Sequence, residues 1–543
     1  MKNIFLIIIT FFSFSLFSQS VEEEWTHYYD GYSAKGNETL AIDSSGEYLY
    51  FTSHDYDVVS LYKVNETGEV IWRQDQQFPG FYFANSCEIK TDIFDFIYVS
   101  GYCDAATTME VEYFVLKYDE NGNLLWNAVC DYVDFMMFSK VWLFVDYSQN
   151  VYITAQFPVG GTSDVITIKY NADGQEEWHQ IFAGDCGGND FPGDIYVDSS
   201  QNVLITGQTQ INSTEYDIFL LKYAADGQMI WDQTYEANTS AYQYNPRICL
   251  DANEDIYLIG MQKFGENHNF AILKYDQSGN LLWMRSYDGN YYNSTDCARD
   301  LLVDDEGNLV VFGEVENYGT LIIPLDFALM KYSSDGDLIW HQEYSGPGHK
   351  DYPKAMTLDL NNEIYVTGMM EYWFNTLKYD EYGSQLWQIF WEEPEDLRYE
   401  AYVTDIRVND DGDVYVLGYN NAYDVTLVKY NQPDFTPVSQ NSIPEIKAEL
   451  SNFPNPFNPT TTISFSVTQT CPFATIEIYN LKGQKVKQFS HAELFEAYGT
   501  VNIYSVNWNG TDNNFKAVST GIYYAILKQN GKMLATRKMI LMK

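Results

Sequence analysis

The chain has 543 residues, 31 Lys/Arg against 76 Asp/Glu, and a formal net charge of −45. So acidic a surface excludes nucleic acid as a partner, because a polyphosphate is met by a basic face. The hydrophobic fraction is 45% and the aromatic fraction 17%, with 46 tyrosines, which suits a large core of half-buried, pleated surfaces.

Met1-Lys2-Asn3 is followed by an uncharged apolar run from Ile4 to Phe17, which ends in Ser18-Gln19-Ser20. A basic start, an apolar middle and a short polar exit predict a secretory signal peptide over 1–20. The run is too short for a spanning helix, and no later segment approaches that length. The mature chain is therefore expected to carry no transmembrane segment. No Cys follows the apolar run, which argues against a lipid anchor.

From residue 21 a repeat takes over. Its clearest copy is Ile272-Leu-Lys-Tyr-Asp-Gln-Ser-Gly-Asn-Leu-Leu-Trp283. Copies end at Trp72, Trp126, Trp178, Trp231, Trp283, Trp340 and Trp387, with a glycine four residues before each and a lysine nine before each. The Trp-to-Trp steps are 54, 52, 53, 52, 57 and 47 residues. A period of this size marks a repeat architecture. Within a unit, two apolar β-rich runs flank an Asp/Asn/Gly turn and make a hairpin. A second hairpin precedes it, as in Ile195–Asp198 followed by Val203–Gly207. Four short strands per unit predict one propeller blade.

The blades are counted by the turn of the first hairpin, at Asp43, Asp92, Asp146, Asp198, Asp251, Asp304, Asp359 and Asn409. The lysine strand also occurs eight times, but its last copy, ending Lys429-Tyr430, has no Trp after it. Glu24-Trp25-Thr-His-Tyr-Tyr resembles the Trp340 strand, so Trp25 is expected to complete the eighth blade and close the ring. The expectation is an eight-bladed β-propeller over 21–431; seven blades plus a stray segment is the alternative. The Gly-x-x-x-Trp spacing resembles the tryptophan-docking repeat of pyrroloquinoline-quinone propellers and their non-enzymatic eight-bladed relatives. That resemblance implies that Trp25, Trp72, Trp126, Trp178, Trp231, Trp283, Trp340 and Trp387 pack blade against blade. The repeated lysines are expected to lay their stems over a neighbouring blade.

Seven cysteines occur, without metal spacing. Cys87 and Cys103 flank the Asp92 hairpin at eight residues either side of Asp95, so antiparallel pairing predicts a disulfide between them. The acidic turns, such as Asp304-Asp-Glu-Gly-Asn308, are the only positions that suggest calcium. They lack the alternating ligands and closing Glu of a calcium loop, and Asx-Gly turns account for them without metal. No catalytic residue, cofactor-binding residue or metal ligand is assigned, and no cofactor is expected. The seven histidines are scattered, and no Gly-x-Ser-x-Gly elbow is present. Repeat breaks at Glu316–Leu325 and at Cys186–Asp190 are the places where a loop-borne site is expected.

After Asn431 the prolines 433, 437 and 444 mark a linker over 432–449. From Leu450 to Lys543 there are nine Lys/Arg and four Asp/Glu, a net +5, which leaves −50 on the rest. Short strands with turns at Lys482-Gly483 and Asn530-Gly531 predict a small Ig-like β-sandwich over 450–543. An ordinary accessory domain would read the same way. Five phrases go further: Phe453-Pro-Asn-Pro-Phe-Asn-Pro459, Ile478–Val486, Trp508-Asn-Gly510, Ser519-Thr-Gly-Ile-Tyr-Tyr524 and Arg537-Lys538. They resemble the type A C-terminal sorting domain of proteins exported by type IX secretion. The resemblance implies that Pro454, Asn455, Pro456, Gly483, Gly521, Tyr523 and Lys538 belong to the sorting motif. It also implies a secreted or surface-held protein and recognition by the type IX machinery. The working part is then the propeller. Its expected role is non-enzymatic binding or adhesion to an unknown extracellular glycan or protein. The alternative is a polysaccharide hydrolase or lyase using carboxylates on one face, and a quinone or metal cofactor protein ranks below both.

Overall fold

The computed structural model describes residues 19–29, 39–104, 111–130, 140–240, 246–289, 294–316, 325–346, 351–370, 373–391, 401–420, 424–433, 449–467, 474–489, 495–497, 502–513, 516–529 and 532–542. Every regular element among them is a β-strand. Ten four-stranded antiparallel sheets form, eight of them the blades of the propeller and two the C-terminal sandwich. Seven blades are built from consecutive strands, over 41–77, 83–130, 142–182, 190–239, 247–287, 297–344 and 351–391. Blade 8 takes three strands from 402–431, and its outermost strand is Glu22–Tyr29, paired antiparallel with Val425–Asn431.

The sequence pattern of each strand follows from its layer. The second and third strands are covered on both faces by neighbouring blades, so they read as near-continuous apolar runs and are almost wholly buried, as in Val203–Gln210 and Tyr216–Tyr223. The outermost strand, such as Glu176–Phe182, alternates between exposed and half-buried positions. Among the described residues the propeller core divides into eight apolar clusters, one per seam, each shared by two adjacent blades. The last of them joins Tyr29, Leu417 and Leu427 of blade 8 to Leu40, Leu49 and Phe51 at blade 1, so the ring has no open side.

The C-terminal sandwich packs the sheet of 449–453, 461–467, 502–508 and 495–497 on the sheet of 485–489, 474–480, 521–529 and 532–541. Its core includes Phe457, Ile463, Phe465, Ile476, Ile478, Trp508, Tyr523, Leu527 and Leu541.

The expected disulfide is not formed. Cys87 and Cys103 are not bonded to each other. A bulge between Ser86 and Glu88 makes Cys87 the extra residue of its strand, and Cys103 pairs with Ala84 instead. The shift sends the two thiols to opposite sides of the sheet: Cys87 packs in the seam with blade 3 and Cys103 in the seam with blade 1. Counting from Asp95 also places the turn one residue too far along: Thr91 pairs with Ile97, so the hairpin is centred at Phe94 and even an unbroken ladder would set Cys87 opposite Gly101.

Tryptophans hold the seams. The indole N–H of Trp126 donates to the Ala172 carbonyl of the next blade at 3.0 Å, that of Trp178 to Ala225 at 3.0 Å and that of Trp283 to Ser334 at 3.0 Å. The ring lies on the glycine of the same turn, which adopts positive φ and has no side chain to obstruct the approach. At Gly174 (φ +78°) a Cβ would fall 2.5 Å from Cδ2 of Trp126. Gly307 has nearly the same φ (+81°) with nothing within 4 Å of a Cβ. Gly307→Ala should therefore lose only the conformational term, about 1 kcal/mol, whereas Gly174→Ala should lose about 3 kcal/mol because the indole must also be displaced. Urea unfolding of the two variants measures the difference, and equal losses would show that the indole seat carries no stability.

Candidate functional site

The repeat residues are consumed by the architecture. Trp72, Trp231 and Trp340 donate to the carbonyls of Glu120, Gln277 and Glu381, each in the neighbouring blade. Trp387 meets blade 8, which lacks the glycine turn, and donates instead to the Gln432 side chain at 2.9 Å. Trp25 donates to the Glu66 carbonyl at 3.1 Å, but the ring seated on Gly68 is His27. The repeated lysines reach the same turns: Lys63 donates to Glu120, Lys169 to Ala225 and Lys331 to Glu381. They also pair with the turn aspartates, Lys222 with Asp198 at 2.9 Å and Lys331 with Asp304 at 2.8 Å. The other Asp304 oxygen accepts the N–H groups of Glu306 and Asn308, which makes it an Asx turn.

A belt of charge surrounds the axis, and it follows a period of two blades. Glu88, Asp194, Asp300 and Asp405 stand 106, 106 and 105 residues apart, on the innermost strands of blades 2, 4, 6 and 8. Each directly follows a bulge. Each carboxylate accepts a backbone N–H from the innermost strand of the next blade, or from the residue just before it: Leu143 at 2.9 Å, Ile248 at 3.2 Å, Met356 at 3.0 Å and Leu40, ahead of Ala41–Ile42, at 2.8 Å. An innermost strand has no further strand to pair with, so these donors need a side-chain partner. Cations fill the gaps. Lys140 lies 3.5 Å from Glu88, and Arg247 lies 3.4 Å from Asp194 and 4.0 Å from Asp300. Burial pushes the Asp194 and Asp300 carboxyls above the ordinary range against the pull of Arg247. Burial also lowers Lys140 and Lys354, whereas four nearby carboxylates outweigh it at Arg247 and hold that guanidinium charged. These charges answer one another: the carboxylates tie neighbouring blades, and Arg247 of blade 5 bridges blades 4 and 6. The 106-residue recurrence was present in the sequence, masked by the stronger 53-residue period.

The two propeller faces differ. The Asp turns and Gly turns share one face. The turns between second and third strands, with the connections between blades, form the other, the loop face. Here the blades depart from one another. The Cys186 connection is closed by Asp190, which accepts the Gly184 N–H at 2.6 Å. Of the Glu316–Leu325 break, residues 317–324 lie outside the described residues. Sequence reading passed over three exposed aromatics at the junction of blades 1 and 2: Tyr56 (57% exposed), Tyr82 (51%) and Phe83 (40%). The Tyr56 and Phe83 rings are parallel within 4° at 6.2 Å, and Tyr82 stands edge-on to both. The available signal was the Phe78-Pro-Gly-Phe-Tyr-Phe83 run beside a hairpin turn, Asp55-Tyr-Asp57, with no glycine or asparagine.

Of the residues expected in the sorting motif, Asn455, Gly521 and Tyr523 meet the last strand, Lys532–Leu541, which carries Lys538. Asn455 donates from Nδ2 to the Lys538 carbonyl at 2.9 Å and accepts the Ile540 N–H at 2.9 Å. The Pro454 carbonyl accepts Thr461 Oγ1 at 2.8 Å, and Pro456 follows Asn455 through a cis peptide bond. Tyr523 packs on Trp508 and donates to the Ser519 carbonyl at 2.6 Å. Gly483 holds positive φ (+71°) in its turn, and Gly521 opens the strand that carries Tyr523. A cavity of about 390 Å³ lies between this domain and the Asp-turn face, lined by Asp92, Asp146, Tyr147, Glu477 and Lys528 among others. It is on the face away from the aromatic cluster.

Fold and motif together define an exported β-propeller. Residues 451–542 match the family of secretion system C-terminal sorting domains. The chain therefore carries a type IX sorting tail, is directed to the outside of the cell, and has the type IX machinery as a partner. No curated protein matches the sequence. Solved structures similar to it include the Dos1 propeller (9% identity, 76% of this chain and 95% of that one, TM-score 0.46). Polysaccharide lyase Uly1 is similar at 11% identity over 75% and 92% of the two chains, TM-score 0.40. A virginiamycin B lyase from Staphylococcus aureus is similar at 11% identity over 74% and 99%, TM-score 0.35. Likeness at this level carries nothing about activity.

Proposed function

We propose that the exported propeller is a non-enzymatic binding or adhesion module that holds an extracellular glycan on its loop face. The observation that carries this reading is the exposed aromatic cluster of Tyr56, Tyr82 and Phe83. Rigid aromatic rings give contact area at little entropic expense, and contiguous exposed apolar surface marks a site of interaction. The remaining chemistry-bearing groups of the repeat have structural tasks: the tryptophans and lysines in the seams, the aspartates in turns, the axial carboxylates as caps. A binding module needs no activated group beyond its contact surface.

The test applies the mature full-length chain to an array of neutral and anionic glycans, followed by analysis of every bound glycan for cleavage. The expected result is selective retention with no new reducing or unsaturated ends. New ends would replace the binding reading with a carbohydrate-active enzyme. Failure to retain any glycan would refute the glycan reading and put a protein ligand in its place.

A further inference from the structure

We infer that Tyr56, Tyr82 and Phe83 form a stacking subsite for an uncharged sugar ring at the loop-face junction of blades 1 and 2. This rests on the glycan-binding reading and gives it a site and a ligand class.

The backbone supplies the first argument. Asp55 pairs with Val58, which leaves Tyr56-Asp57 as a two-residue hairpin loop. In blade 5 Phe264 pairs with Asn267, which leaves Gly265-Glu266. The first loop residue has positive φ in both, +65° at Gly265 and +51° at Tyr56. Glycine is the residue this position favours, and a bulky side chain there is strained. Blade 1 keeps a tyrosine there, and burial does not repay the strain, because the ring remains 57% exposed. Strain held at an exposed aromatic points to a use outside the protein.

The second argument is shape. Two backbone hydrogen bonds pin the turn to the loop, Ala84 N–H to Tyr56 O and Phe78 N–H to Asp57 O, both at 2.7 Å, and a third, Tyr82 N–H to Asp104 O at 2.8 Å, pins the loop to the second strand of blade 2. The rings are thereby preorganised, which removes much of the ordering cost of binding. The parallel pair, Tyr56 and Phe83, offers flat apolar surface to the C–H face of a pyranose, and Tyr82 forms an upright wall. Phe264 in blade 5 is 73% exposed and has no aromatic partner among the described residues, as single surface apolar residues commonly do not.

Charge selects the ligand class. Asp55, Asp57 and Asp104 lie on the turn and strand end that carry or anchor the rings, and Asp57 accepts Gln77 Nε2 at 3.2 Å. These acceptors suit sugar hydroxyls. The −50 carried outside the C-terminal domain repels uronic and sulfated polymers.

The experiment titrates the mature full-length chain with cellohexaose, laminarihexaose, mannohexaose and, as the anionic probe, hexagalacturonate. Tyr56→Gly is the decisive variant, because glycine relieves the backbone strain while it deletes the ring. The expected result is binding of a neutral hexamer that weakens at least about tenfold in Tyr56→Gly, with a melting temperature equal to or above the parent's. Phe83→Ala should weaken it similarly. Equal binding by Tyr56→Gly and the parent would overturn the subsite and leave the glycan reading standing. A lowered melting temperature in Tyr56→Gly would overturn it too, since the ring would then be a packing element. Binding of hexagalacturonate alone would overturn the uncharged class. No binding of any hexamer by the parent would overturn both the subsite and the reading beneath it.

Discussion

Deleting Glu22–Tyr29 is expected to lower the melting temperature by at least about 10 °C and to make the protein self-associate. This one strand ties three blades. Its backbone pairs with Val425–Asn431 of blade 8, and Glu24 meets Lys429 at 2.9 Å. Thr26 Oγ1 accepts the indole N–H of Trp391 of blade 7 at 2.9 Å. Toward blade 1, Tyr29 is buried against Phe51, and its hydroxyl donates to the Gly68 carbonyl at 2.8 Å. Burying one large side chain contributes about 1.5–3 kcal/mol, and the strand adds a full ladder of hydrogen bonds. Without it Val425–Asn431 becomes an open sheet edge, a template for a second molecule. Thermal melting and size-exclusion chromatography read the two effects, and a synthetic Glu22–Tyr29 peptide should restore both. An unchanged melting temperature and a monomeric profile would show that the ring is closed by other means.

Arg247→Met is expected to cost about 2–4 kcal/mol near neutral pH and much less near pH 3, below the ordinary carboxylate range. The guanidinium lies between Asp194 and Asp300 and over the Trp142 ring at 4.6 Å. Its side chain is 28% exposed, so solvent screening keeps the loss below that of a fully buried pair. The sign follows from the carboxyls. Burial raises both in the folded state, so between their ordinary range and their folded values the folded chain holds more protons than the unfolded one. Their contribution therefore falls as pH rises through that window. Removing the cation moves the folded values higher and widens the window upward. Below their ordinary range both carboxyls are protonated and tolerate its loss. Urea unfolding at the two pH values measures the difference; a loss independent of pH would show that Arg247 acts by packing alone.

Much of the fold was legible because it is built by near neighbours. The Gly-x-x-x-Trp and lysine positions recur with the blade, and in blades 1 to 6 the Trp and Lys make the same contact one blade away, so a single period carried the architecture and the blade count. The sorting domain was legible for a related reason: its phrases are contiguous, as in Phe453–Pro459, whose segment buckles onto the last strand through Asn455.

Other features were not legible, because they depend on register or on closure of the ring. The bulge at Cys87 reverses the facing of its thiol, and no count of residues from a turn detects one extra residue in a ladder. The axial belt joins Glu88, Asp194, Asp300 and Asp405 around one axis, although each lies more than 100 residues from the next. Their common role as caps exists only once innermost strands leave N–H groups facing that axis. The aromatic platform likewise brings residue 56 against residues 82 and 83 from separate blades, with a backbone angle that composition does not reveal. By itself the sequence determined the repeat, the number of blades and the export tail, since short-range periodic packing is written in spacing. Only the tertiary structure decided which thiols, charges and rings meet, because those meetings are set by register and by the curvature that brings distant blades round to one another.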